Sequence, residues 1–296
     1  MENKPAKTAV IVFDPPLDEP LSYRWEKTVE QDGKTRMSWS VDEYRFEDRK
    51  DGYRLTVKPV SSGSNETGPA QLAIQKKIEE LTRFPFVLRL SGEGEIVELE
   101  RSDEFWAAMF KVMREFLGEK ALAGRTPGAA KAAESVVAMF EGMPPAVRLA
   151  KLTEPVQPLV EFAGTETTLG QPISAKVESE SPFGGTLNRD VTVSLTKVAN
   201  GVAYLSVRTS LPRAEFDKLM QSVVGKLGKD ASAADAAKMK AGFASLKSYR
   251  QESRADYRVA VEDGMLESFQ STETIEIGNA DKTTRRVTTV SLTRVN

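Results

Sequence analysis

Long runs of alternating polar and apolar residues, broken at short glycine turns, limit what this chain can fold into. Asp32-Gly33, Asp51-Gly52 and Asn200-Gly201 each stand between two such runs. Asp-Gly and Asn-Gly are strong hairpin signals, because glycine accepts the positive φ that a tight turn between twisted strands requires. The first half therefore predicts a meander over Tyr23 to Gln31, Thr35 to Phe46 and Tyr53 to Val60, preceded by a strand over Thr8 to Phe13. In "RMSWSVDEYRF" the residues Met37, Trp39 and Val41 share one face, and a bulge is expected where the pattern changes phase near Tyr44 and Phe46.

The second half repeats this style. Strands are expected over Ile173 to Glu180, Arg189 to Thr196, Ala203 to Ser210, Tyr249 to Val261, Met265 to Ile277 and Thr283 to Val295. "PFVLRLSGEGEIVELE" at 85–100 and "YRVAVEDGMLESFQST" at 257–272 both read as hairpins closed by a glycine, Gly94 in one and Gly264 in the other. Each half thus runs hairpin, helix, hairpin, and we read the order as an internal structural repeat. The fold class predicted is α+β: curved antiparallel sheet built from two related halves and covered by amphipathic helices. The halves span 1–120 and 173–296, with 121–172 as a helical, proline-rich connection. The two halves are allowed to form one continuous domain.

Helices are expected after Pro69, with Ile74, Ile78 and Leu81 as its stripe, and from Ser102, an N-cap followed by Asp103 and Glu104. The second has a bulky apolar face of Phe105, Trp106, Met109, Phe110, Met113, Phe116 and Leu117. Others run from about Gly128 to Glu141, from Pro212 with Phe216, Leu219, Met220, Val223, Val224 and Leu227 on one side, and from Ser232 with Met239, Phe243 and Leu246.

Composition removes whole classes of chemistry. The chain of 296 residues has no cysteine and no histidine. Disulfides, thiolate nucleophiles, cysteine or histidine metal sites and the Ser-His-Asp triad are therefore impossible. Any catalysis would run on carboxylates, lysine, tyrosine or hydroxyls, and no cofactor is expected. A formal charge of −2, with the charges interspersed, argues against a nucleic-acid partner. No stretch approaches the roughly 18 apolar residues of a spanning helix.

The opening "MENKPAKTAVIVFDPP" offers only Ala9 to Phe13 as an apolar run, shorter than the core of about 7–15 residues in a secretory leader. We read the chain as a mature periplasmic or secreted protein, with a cytoplasmic location as the alternative.

Fragments with catalytic echoes fail on context. "GKT" at Gly33 to Thr35 lies in a hairpin, not at a strand-to-helix turn. "GEGEIV" from Gly92 lacks the third glycine of a dinucleotide fingerprint. "SLTK" at Ser194 to Lys197 lies on a strand, where i and i+3 are expected on opposite faces. The pairs Glu93/Glu95, Glu98/Glu100 and Glu178/Glu180 lie about 7 Å apart on strands, as solvated edges also do. "NET" at Asn65 matches a glycosylation acceptor.

What remains is apolar. Trp106, Met109, Phe110, Met113, Met139, Met220, Met239 and Phe243 all fall on expected helices. Methionine adapts its shape to irregular ligands, so these eight are the candidate lining of a ligand site between helices and sheet, the alternative being a fully packed core.

The strand-rich ends, the "YRVAVEDGMLESFQSTETIEI" hairpin and the helices between strands resemble bacterial envelope proteins, and more distantly lipoprotein carriers with a half-barrel sheet and a helical lid. The resemblance implies a periplasmic, non-enzymatic protein that shelters a hydrophobic ligand, and the leading reading is a non-catalytic protein that binds a lipid or acyl chain or a partner protein. A structural module without ligand is the alternative, and a carboxylate-based hydrolase ranks below both.

Overall fold

The computed structural model describes residues 8–17, 19–65, 84–118, 140–180, 186–230, 233–279 and 282–295, with isolated positions between them. The helices expected after Pro69 and from Gly128 fall mostly outside these residues.

The chain forms an α+β fold on a large, curved, open antiparallel sheet, of eleven strands among the described residues. β1 (Thr8–Val10) stands apart from it. β2 (Leu21–Gln31), β3 (Lys34–Arg49), β4 (Gly52–Ser64), β5 (Phe86–Leu90) and β6 (Ile96–Leu99) run outward in sequence order, and α1 (Ser102–Gly118) follows. After α2 (Pro145–Thr153), α3 (Gln157–Val160) and β7 (Glu166–Thr168) come β8 (Ile173–Glu180), β9 (Thr186–Ala199) and β10 (Val202–Ser210). The helices α4 (Arg213–Asp230) and α5 (Ala233–Ala244) separate these from β11 (Ser248–Ala260), β12 (Leu266–Gly278) and β13 (Thr283–Val295).

Across the sheet the order is β8-β9-β10-β11-β12-β13-β2-β3-β4-β5-β6. In both halves three successive strands pair as a meander, and the next strand of the sheet pairs beside the third. The seam is the long β13–β2 pairing, from Val295 opposite Ser22 to Arg286 opposite Gln31.

Turn chemistry matches the sequence at Asp32-Gly33 and Asn200-Gly201 but not at Asp51-Gly52, where Lys50 and Asp51 make the turn and Gly52 (φ +131°) already pairs with Arg49 in the ladder. Asp32 and Gly33, and Asn200 and Gly201, all hold positive φ, as a two-residue hairpin of this hand demands. One expectation changes in detail. β3 pairs with β2 without interruption, and the extra residue lies in β4, where Val41 faces Ser61 but Asp42 faces Pro59. The phase change read near Tyr44 is therefore a change of face. Met37, Trp39 and Val41 point to the outer side, where the Trp39 ring covers Gly63 and lies 4.6 Å beneath the Arg24 guanidinium. Tyr44 and Phe46 point inward and are fully buried.

The core lies on the inner face, at one end of the strands. Tyr23, Tyr44, Phe46, Leu55, Leu88 and Leu90 from one half meet Leu205, Tyr257, Leu266 and Leu292 from the other in a single cluster. Tyr23 stands edge-on to Tyr44 and donates its hydroxyl proton to the Leu266 carbonyl at 2.6 Å, across the seam.

Its cover is the part of the chain expected to be only a connection. Pro145 and Pro158 sit in the first turns of α2 and α3, where a missing N–H costs nothing. The prolines begin helices here instead of breaking them. Val156, Leu159, Val160, Phe162 and Ala163 enter the core, and β7 pairs with β1 as a two-stranded ribbon over the sheet. The predicted first strand is thus part of this lid and not of the meander.

The two glycine hairpins singled out in the sequence share a physical cause. A Cβ on Gly94 (φ +86°) would come within 2.6 Å of Ala163 and 3.2 Å of the Phe13 ring. On Gly264 (φ +73°) it would lie 2.2 Å from the Val12 carbonyl oxygen. Both turns press against the same covering segment, and only glycine lets the backbones approach that closely.

Candidate functional site

The six candidate residues whose side chains are described divide between two places. On α1, Phe105 and Trp106 pack against the main core, Phe105 edge-on to Phe86 of β5 at 6.0 Å. Trp106 stacks on Phe110 at 5.8 Å, and the Arg148 guanidinium of α2 lies over both rings, 5.5 and 6.0 Å from their centres. The buried Arg148 Nε has no hydrogen-bond partner, so the aromatic faces supply what attraction it receives. Met109 and Met113 are half-buried on the same helix. This end of α1 is a filled aromatic cluster, and an Arg114–Glu141 ion pair ties the helix to the segment before α2.

Met220 and Phe243 lie elsewhere, in an open groove of about 720 Å³ between α4 and α5. The side chains of Met139 and Met239 fall outside the described residues.

The groove is built from the start of α4. Pro212 opens the helix, with Glu215 and Phe216 donating their N–H groups to its carbonyl at 3.0 and 3.1 Å. Phe216 is buried and lies flat on Tyr249 of β11, ring centres 3.6 Å apart, so it is the foot of the helix on the sheet. Leu187 and Leu211 complete a small buried cluster with it, and Leu219, Met220 and Leu246 pack around.

Glu215 accepts from the Asn188 backbone N–H at 3.1 Å and from Lys218 Nζ at 2.6 Å, a tie from the first turn to β9. Lys218 first, then the Asn188 N–H, hold its carboxyl below the usual range. Arg213 binds Asp217 at 2.8 Å and donates to the Leu246 carbonyl at 3.3 Å, which joins the end of α5 to the start of α4.

On the sheet side, the Tyr249 hydroxyl donates to Gln251 and Gln251 donates to Glu273, each at 2.5 Å. Burial pushes the Tyr249 hydroxyl up to about 12, with Glu273 adding to the shift. The walls of the groove are Phe216, Met220, Val224, Phe243 and Leu246, and Arg213, Asp217, Gln221 and Lys240 stand among them. The groove is thus walled by apolar side chains, with Lys240 and the Arg213–Asp217 pair among them.

Sequence reasoning had Met220 and Phe243, and had Phe216, Val224 and Leu246 on the same stripes. It missed Arg213 and Lys240, for which the signal was cationic residues at helical spacing beside the apolar stripe.

The other motifs resolve structurally. Gly33 to Thr35 turns the β2–β3 hairpin, and Gly92 to Val97 turns β5 into β6. A register shift in β9 puts Ser194 and Lys197 opposite Ser206 and Tyr204, which share the outer face. The opposite-face expectation is thereby corrected, and Lys197 lies over the Tyr204 ring at 5.1 Å. Glu98 pairs with Arg89 and Glu100 with Arg54. The Asn65 side chain accepts from the Met37 N–H at 2.8 Å and ends the β3–β4 ladder. Among carboxyls, buried Asp42 is raised by burial, with the Ser40 hydroxyl donating to it at 2.9 Å. Among the described residues no cluster of acids could hold a metal ion, and no helix is long and apolar enough to cross a membrane.

No protein-family model matches the sequence, and no curated protein matches it. Among solved structures the chain is similar to a lipovitellin, in work on its lipid–protein interactions, with a TM-score of 0.45 and 8% identity. The match covers 95% of this chain and 25% of the lipovitellin chain, so this protein spans about a quarter of that length.

Proposed function

We propose that this is a non-catalytic binding protein of the bacterial cell envelope that holds an acyl chain or similar apolar ligand in the α4–α5 groove. The groove itself carries the reading. Met220 and Phe243 stay partly open to solvent at its walls, whereas apolar side chains of similar size under the β1–β7 ribbon are buried. Exposed apolar surface in a concavity, bordered by Lys240 and by the Arg213–Asp217 pair, suits a chain with an anionic head that Lys240 can meet. The envelope location rests on the resemblance of element order to envelope proteins, and we read the matched halves as a duplicated hairpin–helix–hairpin unit.

Titration with a dansyl-labelled fatty acid tests it. Saturable binding is expected, weakened at least tenfold by Met220→Glu and less by Lys240→Glu, because a charge in the apolar wall costs more than a lost rim contact. Absence of saturable binding, or equal binding by Met220→Glu, would overturn the assignment. The packed inner core favours the second reading, a structural or interaction module, which that outcome would leave standing.

A further inference from the structure

We propose that β8 is a self-association edge, at which a second copy of this chain adds antiparallel and joins the two sheets. β8 is the outermost strand on its side of the eleven-stranded sheet. Residues 173–178 are all exposed, Ile173 at 55% and Val177 at 46%. The opposite edge is less inviting: β6 has only four residues, and Leu99 in it is buried.

Edge strands are usually guarded by proline, a bulge or a charge on the core-facing side, because their free N–H and C=O groups template further pairing. Between Ile173 and Ser179 β8 has no proline, bulge or core-facing charge; its charges, Lys176 and Glu178, lie on the outer face. Its pairing to β9 runs without a register shift, and Ile173, Ala175 and Val177 lie on the inner face. Pro172 precedes the strand and limits the ladder at that end.

Charge decides both the occupant and the register. In a twofold antiparallel pair, residues on the same face must meet, so only certain registers exist. Centring the axis on Lys176 sets Lys176 against Lys176, and centring it on Glu178 sets Glu178 against Glu178. Centring it on Val177 brings Lys176 of each copy opposite Glu178 of the other, twice, on the outer face. It also places Val177 on Val177 and Ala175 beside Ser179 on the inner face. Centring on Ala175 also avoids like charges but sets Lys176 against Ser174, so the Val177 register is the one that pairs opposite charges and opposes no like ones, which destabilise a ladder. The segment is therefore complementary to itself.

A single strand edge covers little area, so the dimer is weak, with a dissociation constant on the order of tens of micromolar. Sedimentation velocity on the full chain across roughly 5–200 µM is the test. The wild type should shift from monomer to dimer. Lys176→Glu and Glu178→Lys should each weaken the dimer roughly tenfold, since each replaces two attractions with two repulsions.

The double variant K176E/E178K should recover the dimer, and so should an equimolar mixture of the two single variants. Monomer throughout, dimers indifferent to the single substitutions, or failure of the charge swap to restore association would each overturn the proposal. These side chains lie outside the lining of the α4–α5 groove, and unchanged circular dichroism and thermal melting serve as the check on folding, whether or not the groove binds a fatty acid.

Discussion

Phe216→Ala separates the helical hairpin from the sheet. Phe216 is 5% exposed and its ring lies 3.6 Å from that of Tyr249. Truncating a buried phenylalanine costs about 3–5 kcal/mol, and a stacked pair adds about 0.5–1.5 kcal/mol beyond burial. Among the described residues the cluster has two other buried members, Leu187 and Leu211, and its surroundings can collapse. The lower figure, about 3 kcal/mol, therefore applies. Those three residues bury about 1.5–3 kcal/mol each, so the loss removes a large share of what holds α4 and α5 down.

Native-state hydrogen exchange should show amides of α4 opening about 3 kcal/mol more readily, with those of β2 and β13 little changed. Tyr249 provides a second readout. Its raised ionisation, up to about 12, means the folded state keeps the proton, so this contribution to stability is complete below pH 10 and is lost as pH rises through about 12. With the ring uncovered, its titration by ultraviolet difference absorbance should move down toward 10. Equal loss of protection in α4 and β2, or an unmoved Tyr249, would refute the separation into two cores.

Asp42→Asn should stabilise the fold by about 1 kcal/mol at pH 7, because burial of the carboxylate is what raises its ionisation and the amide keeps the Ser40 hydrogen bond. The gain should be present above the raised folded value and vanish as pH falls below the unfolded one near 4, as thermal melts across that range would show. Gly264→Ala should cost at least about 3 kcal/mol in urea unfolding, since its Cβ would lie 2.2 Å from the Val12 oxygen. Gly201→Ala, at φ +76° with nothing within 4 Å, should cost only about 1 kcal/mol for the left-handed backbone.

The meanders were legible because their signals are local. Asp32-Gly33 and Asn200-Gly201 specify a turn within two residues, and β11 alternates buried and exposed positions from Ala255 to Val259 as its sequence suggests. What was not legible depended on distant partners. Trp39 looks like a core residue, yet it lies outside because Gly63 leaves room for its ring and Arg24 caps it. The methionines read as one lining, but helical spacing reports only which face is apolar. It does not say that Trp106 and Phe110 would meet Arg148 while Met220 and Phe243 faced each other across a groove.

The proline-rich stretch shows the same limit from the other side, and it explains how an open sheet of this width becomes a fold. Four prolines suggest a connector when each is scored for breaking structure, but a proline in the first turn of a helix breaks nothing. Once α2, α3 and β7 exist, they supply the second layer that the inner face requires. β1 then pairs with β7 through Thr8 to Val10, and the chain just beyond it is held by Ile11 to Thr165 at 2.9 Å and Val12 to Val261 at 3.2 Å. Those bonds tie the segment to the lid and to the end of β11, and Phe13 just beyond packs edge-on to Phe46 and Tyr53 of the other half. The glycines at 94 and 264 follow from this, since each turn must close beneath the same backbone. The similarity of the two hairpins can therefore arise from a shared lid as well as from a shared ancestor. Replacing Gly94 by alanine tests this: it should loosen the β1–β7 ribbon and, through it, the β11–β12 turn on the far half, seen as faster amide exchange at Met265. Exchange confined to the β5–β6 turn would mean that the lid does not couple the halves.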